Sequence, residues 1–312
     1  MSIQYLEHFY TKFDTYLDYL PYHKYVSDSL FFGNFMELPN ILLYGSKGFP
    51  SEYLIEYSIS KLFKCEYPIQ KRYPIWNQTL PYIESNYYFC IDSEHPEFPK
   101  DVDQLILFIK HIVSSKCIHM DRHIILLKNI DQITNRKTCY MFRVLLERFS
   151  QNVLFISTTH YIQLIENPLK SRMQLYRIPL PTYEQIHQII KQIKPIDKEL
   201  PKTRNLMVLL FHLDTLEFST LNYPPIVEIN EKKMTQVEIR RISYKLFQYQ
   251  ISVADLIHDC TCFISDKYKS LWIHETALIE HRHRISDPVK KCYYIELILN
   301  IFELYKQKIV MV

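Results

Sequence analysis

Apolar and polar positions alternate along the first 180 residues in two different rhythms. Five short apolar runs stand out: 40–45 (NILLYG), 87–91 (YYFCI), 123–130 (HIILLKNI), 152–159 (NVLFISTT) and 175–180 (LYRIPL). They have the look of buried strands. Helical periodicity fills the gaps at 51–63, 103–114, 135–149 and 161–166. Strands alternating with helices predict a parallel, doubly wound α/β sheet. After Pro181 the strand signals stop. Residues 182–193 and 203–218 are helical in pattern, a Pro-containing break covers 221–233, and a last helical block runs over 234–312. The pattern divides the chain into an α/β core at 1–180, a small helical segment at 181–230 and an all-helical block at 231–312. No internal repeat or low-complexity tract interrupts it.

Composition changes this picture little. The 312 residues are 47% hydrophobic, enough for a sizeable core and for one large domain or two to three ordinary ones. Tyr (25) and Phe (18) are abundant and Gly is scarce (3), a bias of the kind an AT-rich genome produces. A net charge of +3 neither requires nor excludes nucleic acid; local patches decide. The seven Cys are scattered. Cys260-x-Cys262 lacks a second pair at zinc-finger spacing, so no metal site is expected. The start MSIQYLEHFY lacks a basic region followed by an apolar one, and no apolar run reaches membrane-spanning length. The expectation is a soluble, intracellular protein with reduced thiols.

Residues 40–59, NILLYGSKGFPSEYLIEYSI, carry the first chemical signal. An apolar strand runs into Gly45, a tight turn follows, and a helix begins near Ser51. That is the local plan of a phosphate-binding loop, which needs Gly-Lys-Ser/Thr at the helix start. Further pieces follow in order. IILLKNIDQIT (124–134) stands where a Walker B strand would end in an acidic pair. LFISTTH (154–160) stands at sensor 1, Ser171-Arg172 precedes the last strand, and KTRNLMVLL (202–210) stands at sensor 2. Together these resemble an AAA+ module of the clamp-loader type. Ser171-Arg172 resembles its arginine-finger motif, with Met173 in place of the usual Cys. FYTKFDTYLDYLPYHKYVSDSLFFGNF resembles the family's N-terminal stretch, and SNYYFCIDSEHP (85–96), ALIEHRHRI (277–285) and KKCYYIELILNIFELYK (290–306) resemble one branch in particular. That branch is the replication factor C small subunit at the end of the loader ring.

The resemblance implies an AAA+ five-stranded parallel sheet, a small helical lid at 181–230 and a helical collar at 231–312 that holds a five-membered ring. It also exposes what this chain lacks. Aligned on Gly45, with Lys47 and Gly48 inside the loop, Pro50 takes the place of the second Gly, Ser51 of the Lys and Glu52 of the Ser/Thr. Pro50 has no N–H to offer, Ser51 no charge, and Glu52 puts a carboxylate where phosphate belongs. Pro50 and Glu52 suit the first turn of a helix, and Glu52 is expected to satisfy its N-terminus. Lys128 and Asn129 replace the magnesium-binding Asp and the water-activating Glu. Asp131 falls at a position that is structural in the family. His160 replaces the polar residue of sensor 1 and Met207 the Arg of sensor 2. Four parts of the apparatus missing together predict a subunit that does not hydrolyse ATP and binds none tightly at its own site.

Arg172 is the part retained. As the resemblance implies, it would reach ATP and magnesium bound by a neighbouring subunit, with Ser171 beside it; the plain alternative is a surface Arg near a helix end. On helix 135–149, Lys137, Arg143 and Arg136 are the candidate DNA contacts, against the alternative of a solvated charged face that also includes Arg148. His281 and His283, two apart, fall on different helix faces, and 280–284 is expected to be a turn. The reading is an ATPase-inactive clamp-loader subunit, working with sibling subunits, a sliding clamp and primer–template DNA in the nucleus or another site of replication, a viral compartment included. The alternative is an AAA+-derived structural or virion scaffold with no loader role.

Overall fold

The computed structural model describes residues 4–99, 103–115, 120–133, 136–194, 204–215, 234–248, 253–282 and 288–310. Contacts divide the chain into two compact units: Leu6–Ile193, and Lys194–Val312 with the first five residues. Tyr183–Ile193, expected to open the lid, therefore groups with the α/β unit.

The α/β unit begins within the first of three short helices, α1 (Gln4–Thr11), α2 (Phe13–Leu17) and α3 (Pro21–Ser29). Then come β1 (Asn40–Tyr44), α4 (Ser51–Phe63), a two-stranded hairpin of β2 (Ile75–Trp76) and β3 (Leu80–Pro81), β4 (Ile83–Glu84), and β5 (Phe89–Asp92). They are followed by α5 (Asp103–Ser114), β6 (His123–Lys128), α6 (Arg136–Arg148), β7 (Val153–Thr159), α7 (Asn167–Lys170), β8 (Met173–Arg177) and α8 (Tyr183–Ile193). The main sheet has the order β4-β5-β6-β7-β1-β8. Five of its strands are parallel, as expected; the sixth, β4, is an antiparallel edge strand that the sequence pattern did not reveal.

Burial explains the strand patterns. All seven residues of β7 are buried, because β6 and β1 flank it and helices cover the sheet's faces, so its run is continuous rather than alternating. Among the described residues β8 pairs with β1 alone (Leu42 opposite Leu175), and Leu175 is exposed. It spans Met173–Arg177 rather than the expected 175–180, since the backbone leaves the ladder ahead of Pro179. On α5, Leu105, Ile106, Phe108, Ile109, Ile112 and Val113 form the buried stripe. The helix expected at 161–166 is instead a 3₁₀ turn, Ile162–Leu164, followed by α7, which Pro168 starts afresh after an extended Glu166.

The second unit contains helices and no strand among its described residues: α9 (Leu206–Thr215), α10 (Gln236–Gln248), α11 (Val253–Thr261), α12 (Asp266–Arg282) and α13 (Pro288–Val310). α9 starts later than 203 because Asn205 caps it, its side-chain oxygen accepting the Val208 N–H at 3.1 Å. Trp272, fully buried, centres the packing of α10–α13 with Phe302 and Leu299, and its ring N–H donates to Thr261 Oγ1 at 2.9 Å. α12 runs through Arg282, so the first part of 280–284 is helix, not turn. His283 and the break at 221–233 lie outside the described residues. No helix among the described residues is long and apolar enough to cross a membrane.

Candidate functional site: a loop closed by its own ion pairs

The loop between β1 and α4 lies at the carboxyl edge of the sheet, where α/β folds place ligands. Gly45 is required there by packing. A Cβ at this position would stand 2.0 Å from the Ile178 carbonyl oxygen, just past β8. The backbone is drawn in from both sides: Gly45 N–H donates to Thr159 O at 3.3 Å and Ile178 N–H to Tyr44 O at 2.8 Å. Gly48 has φ +131°, a conformation that L side chains rarely adopt.

Pro50 occupies the N-cap of α4, one place earlier than expected, and no side chain caps the helix. The expectation that Glu52 satisfies the N-terminus is therefore corrected. Backbone carbonyls do part of it: Ser51 N–H donates to Phe49 O and Tyr53 N–H to Pro50 O, each at 3.0 Å. Glu52 turns instead toward Lys128, 3.9 Å away at the end of β6. Lys128 is held more firmly by Asp92, at 2.9 Å on the adjoining strand β5. Register makes this meeting unavoidable, since Asp92 and Lys128 are paired across the β5–β6 ladder.

Electrostatics follow. Burial pushes Lys128 toward neutrality, but Glu52 and Asp92 outweigh it and its pKa rises above that of an ordinary lysine. Burial pushes Asp92 upward, yet the Lys128 charge and hydrogen bond, the Glu94 N–H and the Asn129 amide bring it below the usual carboxylate range. Asn129 is buried with a left-handed backbone (φ 56°), which Asn tolerates better than most residues. Its amide donates to Asp92 Oδ1 at 3.0 Å and its backbone N–H to Thr158 Oγ1 at 3.2 Å. Lys47 pairs with Glu94 at 2.8 Å. Asp131 accepts a hydrogen bond from Thr159 Oγ1 at 2.6 Å, and His160 Nδ1 donates to the Gly45 carbonyl at 2.9 Å. What remains at the loop is a narrow recess lined by Gly45, Ser46, Phe49, Ser51 and His160. Phe49 is buried in it, with the His23 ring 4.2 Å from its own.

Asp92 and Glu94 were missed by sequence reasoning. Their only signal was an acid closing an apolar run beside the Walker B position, which becomes legible once the strands are ordered. Met207 lies on α9 in the other unit.

Arg172 stands between α7 and β8. All three nitrogens of its guanidinium are engaged by its own chain. Nε donates to Glu147 Oε1 at 2.6 Å and Nη2 lies 2.5 Å from the same oxygen. Nη1 donates to Pro168 O at 2.7 Å and to Ser171 Oγ at 3.3 Å. The solvent-facing Arg of the sequence reading is thus a half-buried, paired one. Glu147, on α6, is a second residue the sequence did not single out. Arg143 lies one turn before it, with Nε 4.0 Å from Glu147, and its guanidinium sits over the exposed Tyr140 ring at 5.5 Å. The side chains of Arg136 and Lys137 lie outside the described residues. No group of three or more His, Cys, Asp or Glu is placed to hold a metal among the described residues.

No family model matches the chain. It is 24% identical over 168 residues to a protein of Acanthamoeba polyphaga mimivirus provisionally named a replication factor C small subunit. That match covers 50% of this chain and 45% of the relative, less than half of the relative's length. Among solved structures the chain aligns with a DNA polymerase III gamma subunit-related protein from Thermotoga maritima, at 14% identity over 91% of this chain and 99% of that one. The TM-score is 0.40, so this match adds nothing to what the strand order itself says.

Proposed function

We propose that this chain is a clamp-loader-like AAA+ subunit that holds no ATP of its own and assists a neighbour's. The observation that carries this reading is Lys128 bridging Glu52 and Asp92, an internal cation and two carboxylates in the space that magnesium and the terminal phosphates occupy in a working loop. Residue by residue, the loop fits magnesium-ATP poorly. Pro50 has no N–H, the N–H groups of Ser51 and Tyr53 are turned to carbonyls, and Glu52 would repel phosphate. The likeness to the mimivirus protein, partial as it is, supports a replication setting and assembly with sibling subunits. On this reading the helical unit is the assembly element, Arg172 reaches across to a neighbour's nucleotide, and Arg143 meets DNA phosphates.

Two measurements test it. The purified chain should show neither micromolar affinity for a fluorescent ATP analogue nor steady turnover, and either result would overturn the reading of the loop. Arg172→Ala, in a ring reconstituted with sibling subunits, clamp and primed DNA, should assemble normally and lose ATPase and clamp loading. A trans arginine is worth roughly 10³–10⁵ in rate at the site it serves. Arg172→Lys should rescue poorly, because a point charge does not replace a planar fork.

The pairing of Arg172 with Glu147 favours a second reading, a structural scaffold in which Arg172 is a fold contact. Co-expression with candidate loader subunits followed by size analysis separates the two. Wild-type loading by an assembled Arg172→Ala ring would make the scaffold reading the better one.

A further inference from the structure

We propose that Glu147 is the positioning residue for Arg172: it folds the guanidinium back on its own chain, and a polyphosphate must displace this carboxylate before Arg172 can engage an outside ligand. The proposal rests on the reading of Arg172 as an anion-contacting residue. The geometry carries it. One carboxylate oxygen takes both the Nε and Nη2 edge, and the Pro168 carbonyl and Ser171 hydroxyl take Nη1. The Nε/Nη2 edge is a face with which an arginine grips phosphate in a two-pronged fork. No such fork forms while Glu147 holds that edge.

The arrangement is suited to exchange. Both side chains keep contact with water, at 32% exposure for Arg172 and 48% for Glu147, and ion pairs at such exposure are weak. A phosphate bears more charge than a carboxylate and offers the same geometry, so it can take over the edge without a buried charge being stranded. Glu147 is also shared. Arg143, over Tyr140 on the same helix, lies within 4.0 Å of it, so one acid screens two arginines. Neutralising Glu147 should therefore unmask an anion-binding edge with no change of fold.

Inorganic tripolyphosphate, which has the phosphates of ATP without its base, is the probe. Its affinity for the full chain is measured by calorimetry at fixed ionic strength, and the Arg172 Nε–H resonance is followed by NMR. Glu147→Gln should tighten binding about fivefold, the factor that corresponds to a weak, partly exposed ion pair. The gain should vanish when Arg172→Ala is added. Neutralising an exposed acid elsewhere, Glu97→Gln, should give no such gain. An unchanged affinity in Glu147→Gln overturns the proposal, and so does a gain that survives Arg172→Ala, which would assign it to Arg143. Arg172→Ala leaving wild-type affinity untouched is a different failure: it removes Arg172 as an anion contact and with it the trans role.

Discussion

At the scale of single residues, the glycine of the loop and the charges around it have separate causes. Gly45 is required whatever the loop binds, because the Ile178 carbonyl leaves no room for a Cβ. Gly45→Ala should cost about 1–3 kcal/mol, toward the upper end because the obstacle is backbone; urea unfolding measures it. Lys128 is a fold residue here. Lys128→Met leaves Asp92 half-buried without its counter-charge and should cost about 1–3 kcal/mol, less than for a fully buried pair since both partners touch solvent. The pH dependence follows from the directions of the shifts. Asp92 has a lowered folded pKa, so its contribution is present above the ordinary carboxylate range and is lost as pH falls through its folded value. Lys128 has a raised one, so its contribution is full below the ordinary lysine value and is lost only as pH rises through the higher folded value. Between these limits the pair is intact. Unfolding free energies from pH 2 to 7 should therefore fall at the acid end in wild type and fall less steeply in Lys128→Met; parallel curves would contradict the assignment.

Between elements, the joints are made by side chains that the hydrophobic pattern does not mark. Arg122, just before β6, is 2% exposed, and its guanidinium donates to the carbonyls of Phe35, Met36, Leu38 and Val153. It fastens the 3₁₀ turn at Phe35–Glu37 to the base of β7, and its burial lowers its pKa. Arg122→Ala would leave these carbonyls short of a donor and should cost roughly 3 kcal/mol or more, read from the urea midpoint at unchanged m-value. Arg122→Met should do no better, since volume is not what is lost. Glu56 plays a similar part on α4. It takes the Tyr10 hydroxyl at 2.6 Å and the Ile69 N–H at 3.1 Å, and it pairs with Lys71, tying α1 and the segment before the hairpin to the same helix.

At the scale of the whole molecule, each unit carries its own core and one of the two tryptophans: Trp76 packs against the α/β core and Trp272 centres the helical one. A fragment of residues 6–193 should fold alone, since its core lies within it. Its Trp76 emission should report the same urea transition as full-length Trp272→Phe. Loss of the transition in the fragment would show that the units depend on one another for stability. On the proposed reading, the fragment should also fail to join sibling subunits, and stoichiometric assembly without 234–312 would refute the collar assignment.

The sequence by itself determined the α/β class, the places of the parallel strands near 40, 90, 125, 155 and 175, and the helical character of the C-terminal part. Each of these is a local pattern of apolar spacing, which burial enforces residue by residue. It also pointed to the loop at 45–52 and to what that loop lacks. Strand ends were less legible, as at β8, where a proline two residues past the observed end sets the limit. Tertiary structure alone decided the partners. Asp92 meets Lys128 through strand register, over 30 residues apart in sequence. Glu147 reaches Arg172 because α6 and α7 pack at the same edge, and Glu52 turns to Lys128 rather than to its own helix. Charges on exposed or half-buried side chains have no period of their own, so nothing in the order of residues says which opposite charge each will find. Only the arrangement of the elements that carry them does.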